Sequence, residues 1–231
     1  MWLCGPCGEA IIAIQIMATR GDTHPKHLVE VLSRSTLGMA LCIVVGVATV
    51  GQSEGKSMSV AADIAIALVE PSTDTAIKIE ASFAEDQAIP IRYTAVGENV
   101  SPMLVWSGSA EGTKSYVIVV EDSDAERPKP PAHWVIYDIG ADVSSLNEGF
   151  GAVATPQSAD GIKQGTNSFD VIGYSGPNPP AGEAAHHYQF QIFGLDIASL
   201  SLPAGATRDA VLHAMEGHVL SEGQVVGLYA N

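Results

Sequence analysis

Ile77, Ile79, Ala81 and Phe83 alternate with Lys78, Glu80 and Ser82. Side chains of a strand point to opposite faces in turn, so a period of two predicts a strand with one face buried. Two stretches, 116–120 and 134–139, are instead nearly unbroken runs of β-branched and aromatic residues. Such runs, bounded by turn residues, predict buried strands. Residues 102–106 and 188–195 predict further strands, the second alternating aromatic side chains with glutamines, and 225–229 returns to the sheet. One helix is predicted late in the chain. Thr207 caps it, Asp209 suits its positive end, Val211, Leu212 and Met215 form its apolar face, and Gly217 ends it. Short strands in succession with few helices predict a mainly β fold, an antiparallel β-sandwich with one or two peripheral helices.

The two buried runs enclose the most informative loop. Between them lie Glu121, Asp122, Asp124 and Glu126, then Pro128, Pro130 and Pro131, then His133. Proline lacks an N–H and fixes its own φ, so residues 127–131 form a shaped loop and not a strand. Asp122, Asp124 and His133 are therefore expected to converge on one rim of the sheet, a candidate site. A second constellation spans 173–188. Gly173, Gly176 and Gly182 permit tight backbone geometry, and Pro177, Pro179 and Pro180 stiffen it. His186 and Tyr188, two residues apart, share one face of the strand that follows. Exposed N–H groups, an imidazole and a phenol can together cup an anion. Half-buried structural aromatics are the plainer reading of the same residues.

Residues 1–51 differ from the rest. Residues 36–50 are uncharged and mostly apolar, with Arg34 and Lys26 before them and small or polar residues after. That is the layout of a secretory signal, and at fifteen residues it is short against the ~20 needed to cross a bilayer. Export to the periplasm or outside the cell is the expectation, with anchoring by this segment as the alternative. The chain preceding the signal reads as an upstream extension of the true start. Within it, Cys4-Gly5-Pro6-Cys7 has redox-motif spacing, but no strand precedes it. Residues 52–231 form the predicted domain, with the body beginning near Ser57. That body has no cysteine, so no disulfide supports it.

The formal net charge is −15, and residues 1–51 carry equal numbers of acidic and basic side chains, so all of it falls from Gln52 onward. A uniformly acidic body repels phosphate backbones, which excludes nucleic acid as the expected partner.

Several ordered motifs carry a family resemblance over residues 77–229. They are Ser101-Pro102 with Trp106, Asp122-Ser123-Asp124-Ala125 with His133-Trp134, and Gly165-Thr166-Asn167. Gly173-Tyr174-Ser175-Gly176-Pro177 with Pro179-Pro180 follows, then His186-His187-Tyr188 and Ala214-Met215-Glu216-Gly217-His218. The chain resembles the phosphatidylethanolamine-binding protein family, in particular its bacterial, Raf kinase inhibitor-like branch. The resemblance implies a β-sandwich with a small pocket for phosphate or a phosphoethanolamine head group, and no enzymatic activity or cofactor.

Carried over by motif, the ligand-binding candidates are Asp122, Asp124, His133 and Trp134 from the first constellation. Gly176, Pro179, Pro180, His186 and Tyr188 come from the second. Ser123 and Glu126 stand where the family has prolines, and His187 where it has arginine. An extra carboxylate and a lost guanidinium are expected to weaken anion capture. Bacterial relatives imply a homodimer. Inhibition of a kinase or protease through a protein interface is the alternative function. A hydrolase with a divalent metal on Asp122, Asp124, His133 and His186 is the third reading. No H-x-x-x-H or H-E-x-x-H pattern supports it.

Overall fold

The computed structural model describes residues 63–150 and 161–231. The Cys4/Cys7 pair, the apolar run 36–50, the 51/52 boundary and the expected start near Ser57 lie outside the described residues. The strands are β1 (Lys78–Ala81), β2 (Gln87–Ala88), β3 (Leu104–Ser107), β4 (Ser115–Asp122), β5 (Ala132–Gly140), β6 (Ser145–Leu146), β7 (Lys163–Gln164), β8 (His186–Leu195) and β9 (Val219–Tyr229). The α-helices are α1 (Ala65–Leu68) and α2 (Arg208–Met215). Among the described residues the strands form a small sheet, β1-β3-β6, and a large one, β2-β9-β8-β4-β5-β7.

The two sheets enclose one core, to which Ile79, Trp106, Ile118, Trp134 and Phe190 contribute. Val117, Val119, Val135 and Phe193, which alternate with those positions, build a second core with Leu212 and Met215 of α2. The large sheet is thus buried on both faces, which is why β4 and β5 read as unbroken apolar runs. The fold is mainly β with peripheral helices, as expected, but not wholly antiparallel. β2 pairs parallel to β9, with Gln87 opposite Gly227. Two residues carry no periodicity from which that edge strand could be read. Residues 91–93, next to the predicted strand at 102–106, form a short 3-10 turn.

α2 follows its signals. Thr207 accepts a hydrogen bond from the Ala210 N–H, and Gly217 adopts a left-handed φ of 76° just beyond the helix. α1 has no such cap, because Ile64 offers no side-chain acceptor. Glu121 and Gln191 from the large sheet satisfy its first N–H groups instead. Glu121 Oε2 accepts from Ala65 N at 2.7 Å, and Gln191 Oε1 from Ile66 N at 2.6 Å.

Glu121 therefore does not belong to the acidic loop. It is the penultimate residue of β4, fully buried on the face opposite Asp122. Arg208 Nε donates to Glu121 Oε1 at 2.6 Å, and Gln191 Nε2 to Oε2 at 2.7 Å. Burial pushes the Glu121 carboxyl up, while the Arg208 charge pulls the other way.

Candidate ligand-binding pocket

At the end of the large sheet, β4 finishes in Asp122, directly opposite Tyr188 on β8. His186 precedes Tyr188 by two residues and so shares its face. β5 meets this end through an irregularity: Val120 pairs with Trp134, and Glu121 with Ala132. His133 is the extra residue between those pairs, a β-bulge that re-aims its side chain. The bulge turns His133 toward Tyr188, whose ring meets the imidazole edge-on at 5.2 Å between centroids.

The loop 173–183 closes the other side. Ser175 brackets His133, donating its N–H to the His133 carbonyl at 2.9 Å and bonding His133 Nδ1 through its own carbonyl at 2.7 Å. Gly176 donates to Asn99 Oδ1 at 2.7 Å. A Cβ at Gly176 would lie 2.4 Å from the Tyr93 carbonyl oxygen, so the close approach requires glycine. Asn167 pins the remaining loop, donating to Ser175 Oγ at 2.8 Å and accepting from Phe169 N at 2.9 Å.

These elements enclose a cavity of about 480 Å³. Of the sequence candidates, Asp122, His133 and Gly176 line it, and so do Pro179, Pro180, His186 and Tyr188. Asp124 and Trp134 do not. Asp124 turns outward, where its Oδ2 meets His187 N at 2.6 Å and His187 Nδ1 at 2.7 Å. Trp134 lies past the bulge and points into the core, donating Nε1–H to Gln164 Oε1 at 2.5 Å. His187, whose substitution for arginine was expected to cost the rim a cation, is on the outer face with Asp124.

The cavity residues outside the candidate set include three charged side chains, Glu126, Arg127 and Glu183, and the aromatic Phe169. Glu126 had been counted only as a departure in the loop. Arg127 supplies a guanidinium at the cavity, 5.7 Å above the Phe169 ring centroid. Its only sequence signal was its place in the proline loop.

Asp122 is buried and fixed. Its Oδ1 accepts from the N–H groups of Asp124 at 2.9 Å and Ala125 at 3.2 Å, and its Oδ2 bonds His186 Nδ1 at 2.8 Å. Asp122 thus orients the imidazole of His186, whereas His133 Nδ1 is held by the Ser175 carbonyl. Glu183 Oε2 reaches the other nitrogen of the same ring, Nε2, at 3.1 Å. Burial opposes charge on His186, but hydrogen bonds to Asp122 and Glu183 outweigh it and raise the pKa. His133 is shifted the opposite way: burial lowers its pKa, only partly offset by the Ser175 carbonyl and the Asp122 charge. Burial, then the Asp122 charge, pushes the Tyr188 phenol far above its ordinary value. Tyr188 is 1% exposed, and among the described residues its Oη makes no hydrogen bond of good geometry, although the Asp122 carboxylate and the Asn178 backbone lie close enough to act on it. Among the described residues, no three His, Cys, Asp or Glu side chains are grouped to hold a metal ion.

Residues 79–230 match the family model described as Phosphatidylethanolamine-binding protein. The chain belongs to the phosphatidylethanolamine-binding protein family. Among its relatives, a UPF0098 protein of Aquifex aeolicus is 43% identical over 148 residues, covering 64% of this chain and 84% of the relative. UPF0098 protein YbhB of Escherichia coli is 35% identical over 136 residues, 58% of this chain and 84% of the relative. The names of these family members state no activity. Among solved structures, Escherichia coli YbcL, described as a new member of the mammalian family, superposes with a TM-score of 0.64 at 26% identity. That match covers 67% of this chain and 98% of YbcL. A family homolog from Chlamydia trachomatis gives a TM-score of 0.59 at 32% identity, over 68% of this chain and 98% of its own.

Proposed function

We propose that this member of the phosphatidylethanolamine-binding protein family is a non-catalytic binder of a small anion. Phosphate, or a phosphomonoester such as the phosphoethanolamine head group, is held in the pocket at the end of the large sheet. The observation that carries this reading is the buried Tyr188 hydroxyl, which among the described residues makes no hydrogen bond of good geometry, beside the His186 imidazolium. A buried hydroxyl left without a partner costs about 1–3 kcal/mol, which a ligand acceptor recovers. Arg127 adds a permanent charge at the same cavity.

The carboxylates of Asp122, Glu126 and Glu183 also line it. They favour a ligand that carries its own ammonium group over a bare anion, which supports the phosphoethanolamine-like choice. Ser175, the serine of the loop, has its hydroxyl bonded to Asn167 Nδ2 and is not set up as a nucleophile.

Binding is expected to depend on pH. His186 stays charged to above its ordinary value, so affinity falls as pH rises through that raised pKa. His133, with its lowered pKa, is neutral near pH 7 and gains charge only at lower pH, so affinity climbs again on acidification. Sulfate, which keeps one charge state between about pH 5 and pH 8 while histidine titrates, separates this from titration of phosphate itself. Sulfate affinity that rises steadily as pH falls is the expected result. A flat profile would remove the histidines from the site, and the exposed Phe169 and Val171 near the mouth would then favour a protein partner.

A further inference from the structure

We infer that Glu183 is the pocket's resident competitor, a carboxylate seated on the donor that an incoming anion must take. The inference rests on the anion-binding reading and names which contact the ligand replaces.

His186 is 6% exposed, and both ring nitrogens meet carboxylates: Nδ1 with Asp122 at 2.8 Å and Nε2 with Glu183 at 3.1 Å. A neutral imidazole has one donor and one acceptor, so both contacts are satisfied only by the imidazolium. The two carboxylates are not equivalent. The Asp122 side chain is 6% exposed and is clamped by two backbone N–H groups of its own loop. The Glu183 side chain is 47% exposed, and its neighbour Gly182 takes a left-handed φ of 88° in a turn whose Cβ position is open space. Moving Glu183 into water therefore breaks one side-chain hydrogen bond, whereas moving Asp122 dismantles the loop.

The Nε2–H of His186 is thus the exchangeable donor of the site. An oxyanion entering the cavity takes that N–H, Glu183 swings out to solvent, and repulsion between the two anions is relieved. Asp122 remains behind and keeps the imidazole charged. The loop bearing Glu183 keeps its place meanwhile, since Asn231 Nδ2 donates to the Pro179 carbonyl at 2.5 Å and to Asn178 Oδ1 at 2.9 Å. The acidic character of the pocket is then in part a gate: an oxyanion binds only by displacing Glu183 from the His186 Nε2–H.

The test is calorimetric titration of the full chain and its Glu183→Ala and Glu183→Gln variants with inorganic phosphate. It is run near pH 5, below the ordinary histidine range, so that Asp122 keeps the imidazole charged without Glu183, and thermal melting checks the folding of all three. Phosphate affinity is expected to rise roughly two- to fivefold in Glu183→Ala, the range set by a partly exposed charge pair. Glu183→Gln, which keeps a neutral contact, is expected to fall between Glu183→Ala and the unchanged protein. Equal affinity in all three would show Glu183 to be a bystander and overturn the inference while leaving the anion site standing. Weaker binding in Glu183→Ala would make Glu183 a support of the site, overturning it likewise. No phosphate binding by any of the three would overturn the anion-binding reading and this inference with it.

Discussion

Replacing Glu121 by Ala is expected to lower the unfolding free energy by about 3–5 kcal/mol, the usual cost of removing one partner of a buried ion pair. Arg208, whose side chain is only 10% exposed, loses its one buried carboxylate partner. Gln191 Nε2 and the Ala65 N–H lose their acceptor at the same moment. The Arg208 guanidinium keeps its contacts with the Asp63 carbonyl and, at 3.2 Å, with the Asp209 carboxylate, which is exposed and compensates the buried charge only in part. Urea denaturation followed by circular dichroism measures the change. The double variant Glu121→Leu/Arg208→Met is expected to lose much less than the two single losses added together, because no uncompensated charge is left behind. A loss below about 1 kcal/mol in Glu121→Ala would place the pair in the class of solvated surface bridges.

Tyr188→Phe separates binding from folding. Anion affinity is expected to fall about tenfold to a hundredfold, the loss of a hydrogen bond to a charged acceptor. The ligand-free protein is expected to melt little or no lower, because among the described residues the removed hydroxyl makes no hydrogen bond of good geometry. Phosphate titration and differential scanning calorimetry on the same preparation read both quantities. A drop in melting temperature with unchanged affinity would mean that Oη serves the fold and not a ligand.

The elements most legible in the sequence were those whose periodicity a packed neighbour enforces. β1 alternates because one face is covered, and β4 and β5 are unbroken because both faces of the large sheet are. The helix signals of Thr207 and Gly217 act locally and needed no tertiary context. The site was legible as a set of residue types but not as a set of directions. Glu121 and Asp122 are neighbours of the same charge, yet the pleat sends one to α1 and the other to the pocket. A bulge separates His133 from Trp134, and no composition signal marks where a strand gains one residue. His186 and His187 divide in the same way, the first meeting Asp122 and the second Asp124. Glu183 stayed hidden because its partner is fixed by the course of a Gly/Pro loop, which propensity does not specify. Asn167 was seen only as part of a family motif, and its hydrogen bonds to the His133 and Ser175 segments give that motif its physical role.

Calorimetric titration of the full chain with phosphate and with phosphoethanolamine, beside the His186→Ala variant, tests the pocket most directly. Saturable binding of one ligand per chain, tighter for phosphoethanolamine and lost in His186→Ala, is the expected result. Binding that survives the loss of His186, or no binding of either ligand by the unaltered protein, would contradict an anion site at the end of the large sheet.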